Sequence, residues 1–516
     1  MNFLSGEDTP SKELYVDLDE ESEISSTPAG WRRKGWCLAA GAIAGVMLGG
    51  AYGASANANP SDSQTLETIP MVVPHTTTSS FDKSTSSKPA TSTAAWRDRD
   101  DVQAMQKMKV TYGELHEDDV KGLFTKFKSD FRRNYADDDE ESKRFGLFKA
   151  SLKNIDFLNT YNPLALFGIT ETTDRTSEER AQNKMSDKWS SYDAMKSALP
   201  SEMVEMAGQG PDAVTGQSFS RRLEGSVGSM SDGEFAWASE DDCAACTTYP
   251  GFKEYTSENR PTNFDWRELG AVTSVKNQKY CGSCWTFSTA QDIEGTHFLA
   301  TGNLTSFSEQ QFVACDTYNY GCDGGWMFAA MQYVADFGIL VSEEAYPYMG
   351  VMMTYNLPTP TCDTDLLNSK LEGDGDDVAH IEGYQMVAMG AEYEDLMATY
   401  MLKNGPLSIA INANGMDYYV HGIVGCETIA GSEYCEAGAI DAPSDGDSTM
   451  EHTCNPTDLD HGVLLVAYGE QDGVDYWVIK NSWAETWGED GYYRIERGVN
   501  KCGVSNFAQH SVYKKA

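Results

Sequence analysis

The sequence predicts an α+β fold, because a helical segment near the middle of the chain is followed by a region rich in strands. After Cys284, the apolar residues recur with the spacing of a buried helix. Four later runs are short, apolar and bounded by turn residues, and they cover residues 407–411, 463–468, 476–480 and 491–496. We therefore expect a helical part that begins at Cys284 and a β-rich part that contains these runs.

Upstream of this region, two segments have the pattern of amphipathic helices. Each one places aromatic and aliphatic residues on one face at helical spacings. The first stripe consists of Phe124, Phe127, Phe131 and Tyr135, and the second of Phe145, Phe148, Leu152 and Ile155. We expect a small helical domain over residues 116–180.

The N-terminal region predicts a membrane anchor. Residues 36–56 are 21 mostly apolar, uncharged residues, enough to span a bilayer as a helix. A basic cluster at residues 32–34 precedes them, so the positive-inside rule leaves residues 1–35 in the cytosol and places the rest of the chain in a lumen. A cleaved signal peptide is the alternative, since Ala-Ser-Ala at residues 54–56 has the composition of a cleavage site.

Composition adds three expectations about linkers, location and partners. Residues 57–115 and 181–259 are polar and rich in Ser, Thr and Gly, which predicts flexible linkers. The tail segment Tyr-Val-Asp-Leu, which begins at Tyr15, fits a tyrosine-based sorting pattern and favours an endosomal, lysosomal or vacuolar destination. The net charge of −40 argues against a nucleic-acid partner.

The strongest chemical signal is Cys-Gly-Ser-Cys-Trp at residues 281–285, with Gln278 just upstream. At the start of the expected helix, the free backbone N–H groups and the helix dipole favour a thiolate, which lowers the pKa of Cys284. A nucleophilic thiolate also needs an imidazole that exchanges protons with it and a group that orients this imidazole. His461, in Asp-His-Gly, and Asn481, in Asn-Ser-Trp, each lie at the end of a strand-like run and supply such groups.

These three segments resemble the nucleophile, histidine and asparagine elements of the papain family of cysteine peptidases. The resemblance implies a two-lobed papain-like fold, with a helical left lobe and a β-barrel-like right lobe. It also implies Cys284 as nucleophile, His461 as general base and then acid, and Asn481 as the residue that orients the imidazole. Gln278 and the Cys284 N–H would form the oxyanion hole, and Trp483 would shield the hydrogen bond between Asn481 and His461. Such a reaction uses side chains alone, so we expect neither a cofactor nor a metal.

The spacing of these elements departs from the family pattern. His461 follows Cys284 by 177 residues, more than the ~130–150 that are usual. We place the surplus in two acidic insertions, at residues 349–377 and 427–458. Tolerated surface loops are one interpretation, since long loops cost little. The other is that the second insertion, next to His461, contacts substrate or a partner.

The resemblance also implies how a peptide substrate is held. Gly324 and Gly325 would form the edge against which an extended peptide pairs. The pocket for the side chain two residues before the scissile bond would be apolar, which favours aliphatic or aromatic side chains over arginine. Its residues would be Met327, Ala410, Leu459 and Phe507. The sequence lacks a pair of adjacent histidines resembling an exopeptidase's occluding loop, so we expect an endopeptidase.

Twelve cysteines indicate an oxidising compartment. Without Cys284 and Cys37, which lies in the apolar N-terminal segment, an even number remains for disulfides. The pairs that the resemblance implies are Cys281–Cys322, Cys315–Cys362 and Cys426–Cys502. Cys435 and Cys454 both lie in the second insertion and would close it.

The upstream helices resemble the inhibitory prodomain of cathepsin L-type members of the family. Five of six pattern positions match, and Ser151 is the one departure; the matching residues are Glu140, Arg144, Phe148, Ile155 and Asn159. The resemblance therefore makes the chain a zymogen, with residues 260–516 as the peptidase domain. We expect cleavage of the prodomain between Arg222 and Arg260.

Charge suggests how the prodomain is released. Residues 120–160 carry a net charge of +2, whereas residues 260–516 carry −25. Protonation of carboxylates at low pH weakens the attraction between the two parts. We therefore expect processing to be triggered by acid.

Together these features predict a cysteine endopeptidase that hydrolyses protein and peptide substrates in an acidic endolysosomal or vacuolar compartment, with its own prodomain as inhibitor. Two other interpretations stay open. One is a membrane-tethered, catalytically weak homologue that acts as a binding scaffold. The other is transfer of the acyl group to an amine instead of water, which uses the same residues.

Overall fold

The architecture is α+β, as predicted. A computed structural model describes residues 99–185, 255–350, 361–371, 377–425 and 454–514. The helices are α1 (Asp100–Met108), α2 (Glu117–Asp130), α3 (Asp138–Tyr161), α4 (Ser177–Ala181), α5 (Cys284–Thr301), α6 (Glu309–Cys315), α7 (Met327–Phe337), α8 (Thr364–Lys370) and α9 (Glu394–Asn404). The strands are β1 (Ala165–Phe167), β2 (Phe264–Asp265), β3 (Leu340–Val341), β4 (Val378–Ala379), β5 (Ile381–Ala388), β6 (Leu407–Ile411), β7 (Tyr419–Val424), β8 (His461–Gln471), β9 (Val474–Lys480), β10 (Tyr492–Glu496) and β11 (Ala508–Tyr513).

In the described part of the chain, nine strands form one sheet. Their order is β1-β7-β10-β9-β8-β6-β11-β5, and β2 pairs with β8 outside this path. The β7–β10 pairing is parallel and the others are antiparallel. The four predicted strand-like runs lie in β6, β8, β9 and β10.

Helix α5 joins the helical lobe to the sheet. It is buried along most of its length, because β8 and β11 pack on it from the sheet and α7 packs on it from the helical lobe. Its first residue, Cys284, belongs to the same apolar cluster as Trp326 of the helical lobe and Ala410 of the sheet. The start of α5 therefore lies where the two lobes meet.

The prodomain helices form the predicted aromatic core and attach to the sheet. The ring of Phe148 in α3 lies 5.3 Å from that of Phe124 and 5.2 Å from that of Phe127, both in α2. After α3, β1 adds to the sheet edge antiparallel to β7, with Leu166 opposite His421. The prodomain is thus bound to the peptidase by backbone pairing as well as by side chains.

The linker predicted over residues 57–115 is wrong from Arg99 onward. Helix α1 packs on the sheet through Val102, which is 1% exposed and clusters with Ile423 and Val478. The Arg99 side chain donates a hydrogen bond to the Asp472 carbonyl at 2.9 Å. This polar segment is therefore held by a few buried residues, Val102 and Tyr112 among them, which a composition average does not reveal.

The disulfides Cys281–Cys322 and Cys315–Cys362 form as the resemblance implies. The predicted pair Cys426–Cys502 is wrong, because Cys502 is bonded to Cys454. Asn412 holds these two segments side by side: its N–H donates to the Cys502 carbonyl at 2.9 Å, and its Oδ1 accepts from the Asn455 N–H at 3.1 Å. Because Cys454 is bonded to Cys502, the predicted bond between Cys435 and Cys454 is wrong as well.

Several predictions fall on residues that the structure does not describe. These are the apolar segment at 36–56, the predicted cleavage region between Arg222 and Arg260 up to residue 254, Cys426, Cys435 and the main parts of both insertions. Within the described ranges, no helix combines the length and the apolar character that crossing a bilayer requires.

Candidate active site

Cys284 is the first residue of α5 and carries the single free thiol of the described residues. Its Sγ accepts a hydrogen bond from the Gly462 N–H at 3.3 Å, and the residue is fully buried. Gly282 allows the chain to approach this closely. A Cβ atom there would lie 2.5 Å from the Cys322 carbonyl oxygen, so a larger residue would displace the segment that carries Cys284.

His461 is the first residue of β8, directly before the glycine that contacts Cys284. Its Nε2 lies 2.8 Å from Asn481 Oδ1. The same oxygen accepts from the Ser482 N–H at 2.8 Å, which fixes the orientation of the amide and requires that Nε2 carry the ring proton. Nδ1 has no hydrogen-bond partner among the described residues. It is therefore the ring atom available to accept a proton from the Cys284 thiol.

Trp483 covers this imidazole. Its ring centroid lies 4.9 Å from that of His461 and 5.4 Å from that of Trp487. Trp483 is 6% exposed and Asn481 1%, so little water reaches their contact with His461. The next residue, Ala484, has a φ of +72°, a left-handed conformation that costs a non-glycine residue free energy.

The Gln278 side chain is held in one orientation. Its Oε1 accepts from Ser482 Oγ at 2.6 Å, so Nε2 faces the other way. Nε2 donates to the carbonyl oxygens of Cys281 and Asn183, each at 2.9 Å. Asn183 lies beyond the predicted end of the prodomain, and its carbonyl shares the Gln278 amide with the carbonyl of Cys281. Ser482 is a positioning residue that the sequence reasoning did not single out, although it is adjacent to Asn481.

The four residues predicted to form the specificity pocket lie together, and we refer to them as the apolar pocket. Met327, Ala410, Leu459 and Phe507 are each at most 1% exposed and belong to one cluster. Met185 of the prodomain side is part of the same cluster and is 3% exposed. Gly324 and Gly325 lie between the Cys281–Cys322 disulfide and Met327, and their pairing with substrate stays a prediction.

Residues 183–185, which we call the covering segment, lie across the site. Asn183 contacts Gln278, and the Met185 N–H donates to the carbonyl of Asp460, the residue before His461, at 2.8 Å. The sequence placed these residues in a flexible linker. Apart from the hydrogen bond from the Lys184 N–H to the Ala181 carbonyl, the contacts described for them are with distant parts of the chain, so local composition gives little signal for them.

Burial under the covering segment controls the electrostatics. It raises the pKa of Cys284 to about 12, although backbone N–H groups at the start of α5 act in the opposite direction. It lowers the pKa of His461 to about 4, against the effect of the Asn481 hydrogen bond, and the Lys184 charge lowers it further. The expected low pKa of Cys284 is therefore wrong for the covered site, where thiol and imidazole are both neutral.

Comparison with known proteins agrees with this geometry. Residues 260–440 and 444–512 match the model of the papain family cysteine protease, and residues 124–179 match that of the cathepsin propeptide inhibitor domain. The chain is 32% identical to cysteine proteinase 15A of Pisum sativum, over 81% of this chain and 93% of that protein. It is 33% identical to cathepsin F of Drosophila melanogaster, over 77% of this chain and 51% of that protein. The structure of digestive procathepsin L 3 from the Tenebrio molitor larval midgut is similar, with a TM-score of 0.50 and 27% identity, covering 76% of this chain and 99% of that one.

Proposed function

The chain belongs to the papain family of cysteine proteases and carries a cathepsin-type propeptide, and on that premise we propose that it is an endopeptidase zymogen that acts through Cys284 and His461. The substrates are proteins and peptides, and the prodomain is the inhibitor. The observation that carries the proposal is the covering segment, whose Asn183 carbonyl accepts from Gln278 beside a neutral Cys284. A site that is blocked in this way is one that acts on peptides when it is opened.

The proposed reaction begins when the covering segment leaves. Water and the helix dipole then stabilise charge, and the Cys284 proton moves to His461 Nδ1 to give a thiolate and an imidazolium. The thiolate attacks the carbonyl carbon of the substrate, and the oxygen, now negative, accepts from Gln278 Nε2 and the Cys284 N–H. Collapse of this intermediate expels the amine, which takes the proton from His461.

The second half of the reaction releases the acid. His461, neutral again, takes a proton from a water molecule that attacks the thioester carbonyl, and the thiolate leaves. Asn481 Oδ1 holds the ring in one tautomer throughout, because it accepts from Nε2 in both protonation states of the imidazole. Water is thus the acceptor in this proposal, and an added amine competing with it would yield amide products.

Variants of the two reacting groups test the proposal. Cys284→Ala and His461→Gln each lower hydrolysis of a peptide with leucine two residues before the scissile bond by about 10⁴-fold or more. His380→Gln is the matched control, because this histidine bonds the Gly338 carbonyl in the helical lobe and retains full activity. Hydrolysis that survives in Cys284→Ala, on protein with an unchanged unfolding temperature, would refute the assignment.

The apolar pocket makes a separate prediction about selectivity. Four apolar walls give an arginine side chain no partner for its charge, so leucine at that position is cleaved faster than arginine. Initial rates on two peptides that differ at this residue alone measure the effect. Faster cleavage after arginine would mean that the pocket is assigned to the wrong residues.

Acid release is part of the proposal, and the prodomain offers one group that supports it. The Arg144 guanidinium donates to Glu179 at 2.5 and 2.7 Å and holds the pKa of that carboxyl down at about 2. A lowered pKa means that the ion pair stabilises the prodomain above about pH 4.5 and loses this effect as the pH falls toward 2. The acidic pH of an endolysosomal or vacuolar lumen would begin to weaken this stabilisation.

The location of the enzyme is proposed from residues outside the described ranges. An apolar segment at 36–56 after a basic cluster supports a type II anchor with a lumenal peptidase, and signal cleavage near residue 56 would give a soluble lumenal enzyme. The disulfides support a lumenal environment in both cases. Protease protection of residues 57–516 in sealed microsomes, followed by carbonate extraction, distinguishes the two.

A further inference from the structure

Two carboxylates near the covering segment form ion pairs only with the prodomain side: Asp417, which is buried, and Asp460, which directly precedes His461 and has a side chain 15% exposed. Lys184 Nζ lies 3.7 Å from Asp417 Oδ2 and 3.9 Å from Asp460 Oδ2. Arg180 Nε lies 3.9 Å from the same Asp417 oxygen. Within the described residues, every ion pair of these two carboxylates comes from Lys184 or Arg180. Removal of the prodomain therefore leaves both carboxylates without a cation.

The direction of the covering segment shows on which side of the scissile bond these carboxylates lie. In a substrate, the side chain in the apolar pocket belongs to the residue before the one whose carbonyl reacts. In the covering segment, Met185 belongs to the apolar cluster that contains the pocket residues, but it follows Asn183, whose carbonyl accepts from Gln278. The segment thus runs opposite to a substrate, so moving from Met185 to Arg180 corresponds to moving from the acyl side to the amine side of the bond.

Asp417 therefore lies on the amine side. Its cationic partners are Lys184 and Arg180, both of which precede Met185 in the chain and therefore lie toward the amine side of it. Asp460 directly precedes His461, the residue proposed to give its proton to the leaving amine. Because one ammonium group lies within 4 Å of both carboxylates, the two flank a single position.

Asp417 has unused capacity to bind a cation. The residue is 4% exposed, and its Oδ1 has no hydrogen-bond partner among the described residues. Asp460 Oδ1 accepts from the Ala413 N–H at 2.7 Å, which holds this carboxylate in place and leaves Oδ2 to face Lys184. A buried carboxylate oxygen without a donor is costly unless a cation or another donor reaches it.

We infer that Asp417 and Asp460 form an anionic subsite that takes a lysine or arginine side chain from the first two residues after the scissile bond, and that Lys184 occupies this subsite in the zymogen. The inference rests on the proposed function and adds a substrate class to it. The mature enzyme then recognises two features of a peptide substrate: an apolar side chain before the scissile bond and a cationic side chain after it.

A series of internally quenched peptides tests this with the enzyme matured from the full chain. All peptides have leucine two residues before the bond, and they carry lysine, norleucine or glutamate at the first or second residue after it. At pH 6.5, just above the pKa of about 6 to which burial raises Asp460 in the covered site, we expect kcat/KM for lysine to exceed that for norleucine by about tenfold at one of the two positions. Glutamate is the poorest.

Two variants make the test specific. Asp417→Asn brings the lysine-to-norleucine ratio close to one, because a neutral amide cannot pair with the ammonium group. Asp365→Asn removes the same charge from an exposed position on α8 and leaves the ratio unchanged, which controls for the overall field of an acidic protein. A ratio near one in the wild-type enzyme, or a ratio that Asp417→Asn does not alter, would overturn the inference while the proposed function stands. Failure to cleave any peptide of the series would instead overturn the proposed function.

Discussion

The two sides of the cleft hold the covering segment by different forces. On the acyl side, the Met185 side chain belongs to the apolar cluster of the pocket, where burial of its contact area stabilises it. On the amine side, Lys184 is held between Asp417 and Asp460 by charge. Apolar contact is insensitive to salt and pH, whereas charge pairing responds to both. The comparison shows that the acyl side can set how strongly the covering segment inhibits, while the amine side sets how inhibition depends on salt and pH.

The rate at which an epoxide labels Cys284 in the intact chain measures how often the cover opens. This rate depends on both sides of the cleft, because the covering segment must leave both sides before the thiol is accessible. Each rate is divided by that of the mature enzyme at the same pH, which removes changes in the reactivity of the thiol itself.

The largest effect is expected from the acyl side. Met185→Ala leaves part of the apolar pocket unfilled and costs the covered state about 2 kcal/mol, so labelling at pH 7 becomes about 30-fold faster. Added salt leaves this ratio unchanged. Met349→Ala is the control, since that side chain is 40% exposed. An unchanged labelling rate in Met185→Ala would show that the pocket does not hold the cover.

On the amine side, Lys184→Met removes the charge and keeps most of the side-chain volume. We expect labelling to become about tenfold faster, less than the cost of a fully unpaired charge, because Asp417 keeps Arg180 and Asp460 keeps the Ala413 N–H. Salt should accelerate labelling of the wild-type chain more than that of this variant. Equal salt dependence of the two would contradict the assignment of charge to this side.

The ion pair inside the prodomain comes next. Glu179→Gln removes the partner of Arg144 and should raise labelling at pH 7 about fivefold, as for a partly exposed bidentate pair. The wild-type rate rises as the pH falls from 5 toward 3, because the ion pair holds the pKa of Glu179 at about 2, whereas the carboxyl regains its ordinary pKa and takes up a proton when the pair is broken. The variant lacks this part of the rise. A full acid response in Glu179→Gln would place the trigger elsewhere.

Asp460 acts in the opposite direction. Burial raises its pKa to about 6, so the covered state takes up a proton as the pH falls through 6, and this uptake stabilises the cover. Asp460→Asn should therefore increase the ratio of normalised labelling at pH 5 to that at pH 7, by about threefold. A smaller ratio in the variant would mean that Asp460 helps acid to open the site.

The smallest effect concerns a loop that serves both sides equally. Ala484 has a φ of +72° next to Trp483, so Ala484→Gly relieves strain and should stabilise the protein by about 1 kcal/mol in urea unfolding. Labelling of Cys284 stays as in the wild type, since no contact of the covering segment changes. Destabilisation by Ala484→Gly would indicate that the Cβ packing outweighs the strain.

The elements that carry the reacting groups were predictable because their signals are local. The helical spacing after Cys284 and the apolar runs that flank His461 and Asn481 correspond to α5, β8 and β9. The disulfide of Cys502 was not predicted correctly. The prediction paired Cys502 with Cys426, which follows a strand-like run, whereas in the fold Asn412 holds the segment of Cys454 beside Cys502. A usable signal existed, since Cys454 lies seven residues before His461.

The covering segment over the active site could not be predicted from the sequence, for a different reason. Asn183, Lys184 and Met185 lie in a polar segment whose composition resembles a linker, and their side chains and the Asn183 carbonyl have partners that are distant in sequence. The same applies to Asp417, whose importance depends on the ion pairs that reach it from the prodomain. Burial by this cover also reversed the expected pKa of Cys284, because desolvation outweighs the helix dipole when water is excluded.

The most direct test of the central claim is peptide mapping after the chain from residue 57 onward is incubated with a biotinylated epoxide at pH 4.5 and at pH 7. The account predicts label on Cys284 at pH 4.5, together with a fall in mass to roughly the fragment 260–516, and far less label on the intact chain at pH 7. Folded protein that takes up no label at either pH would contradict it and favour a binding scaffold instead.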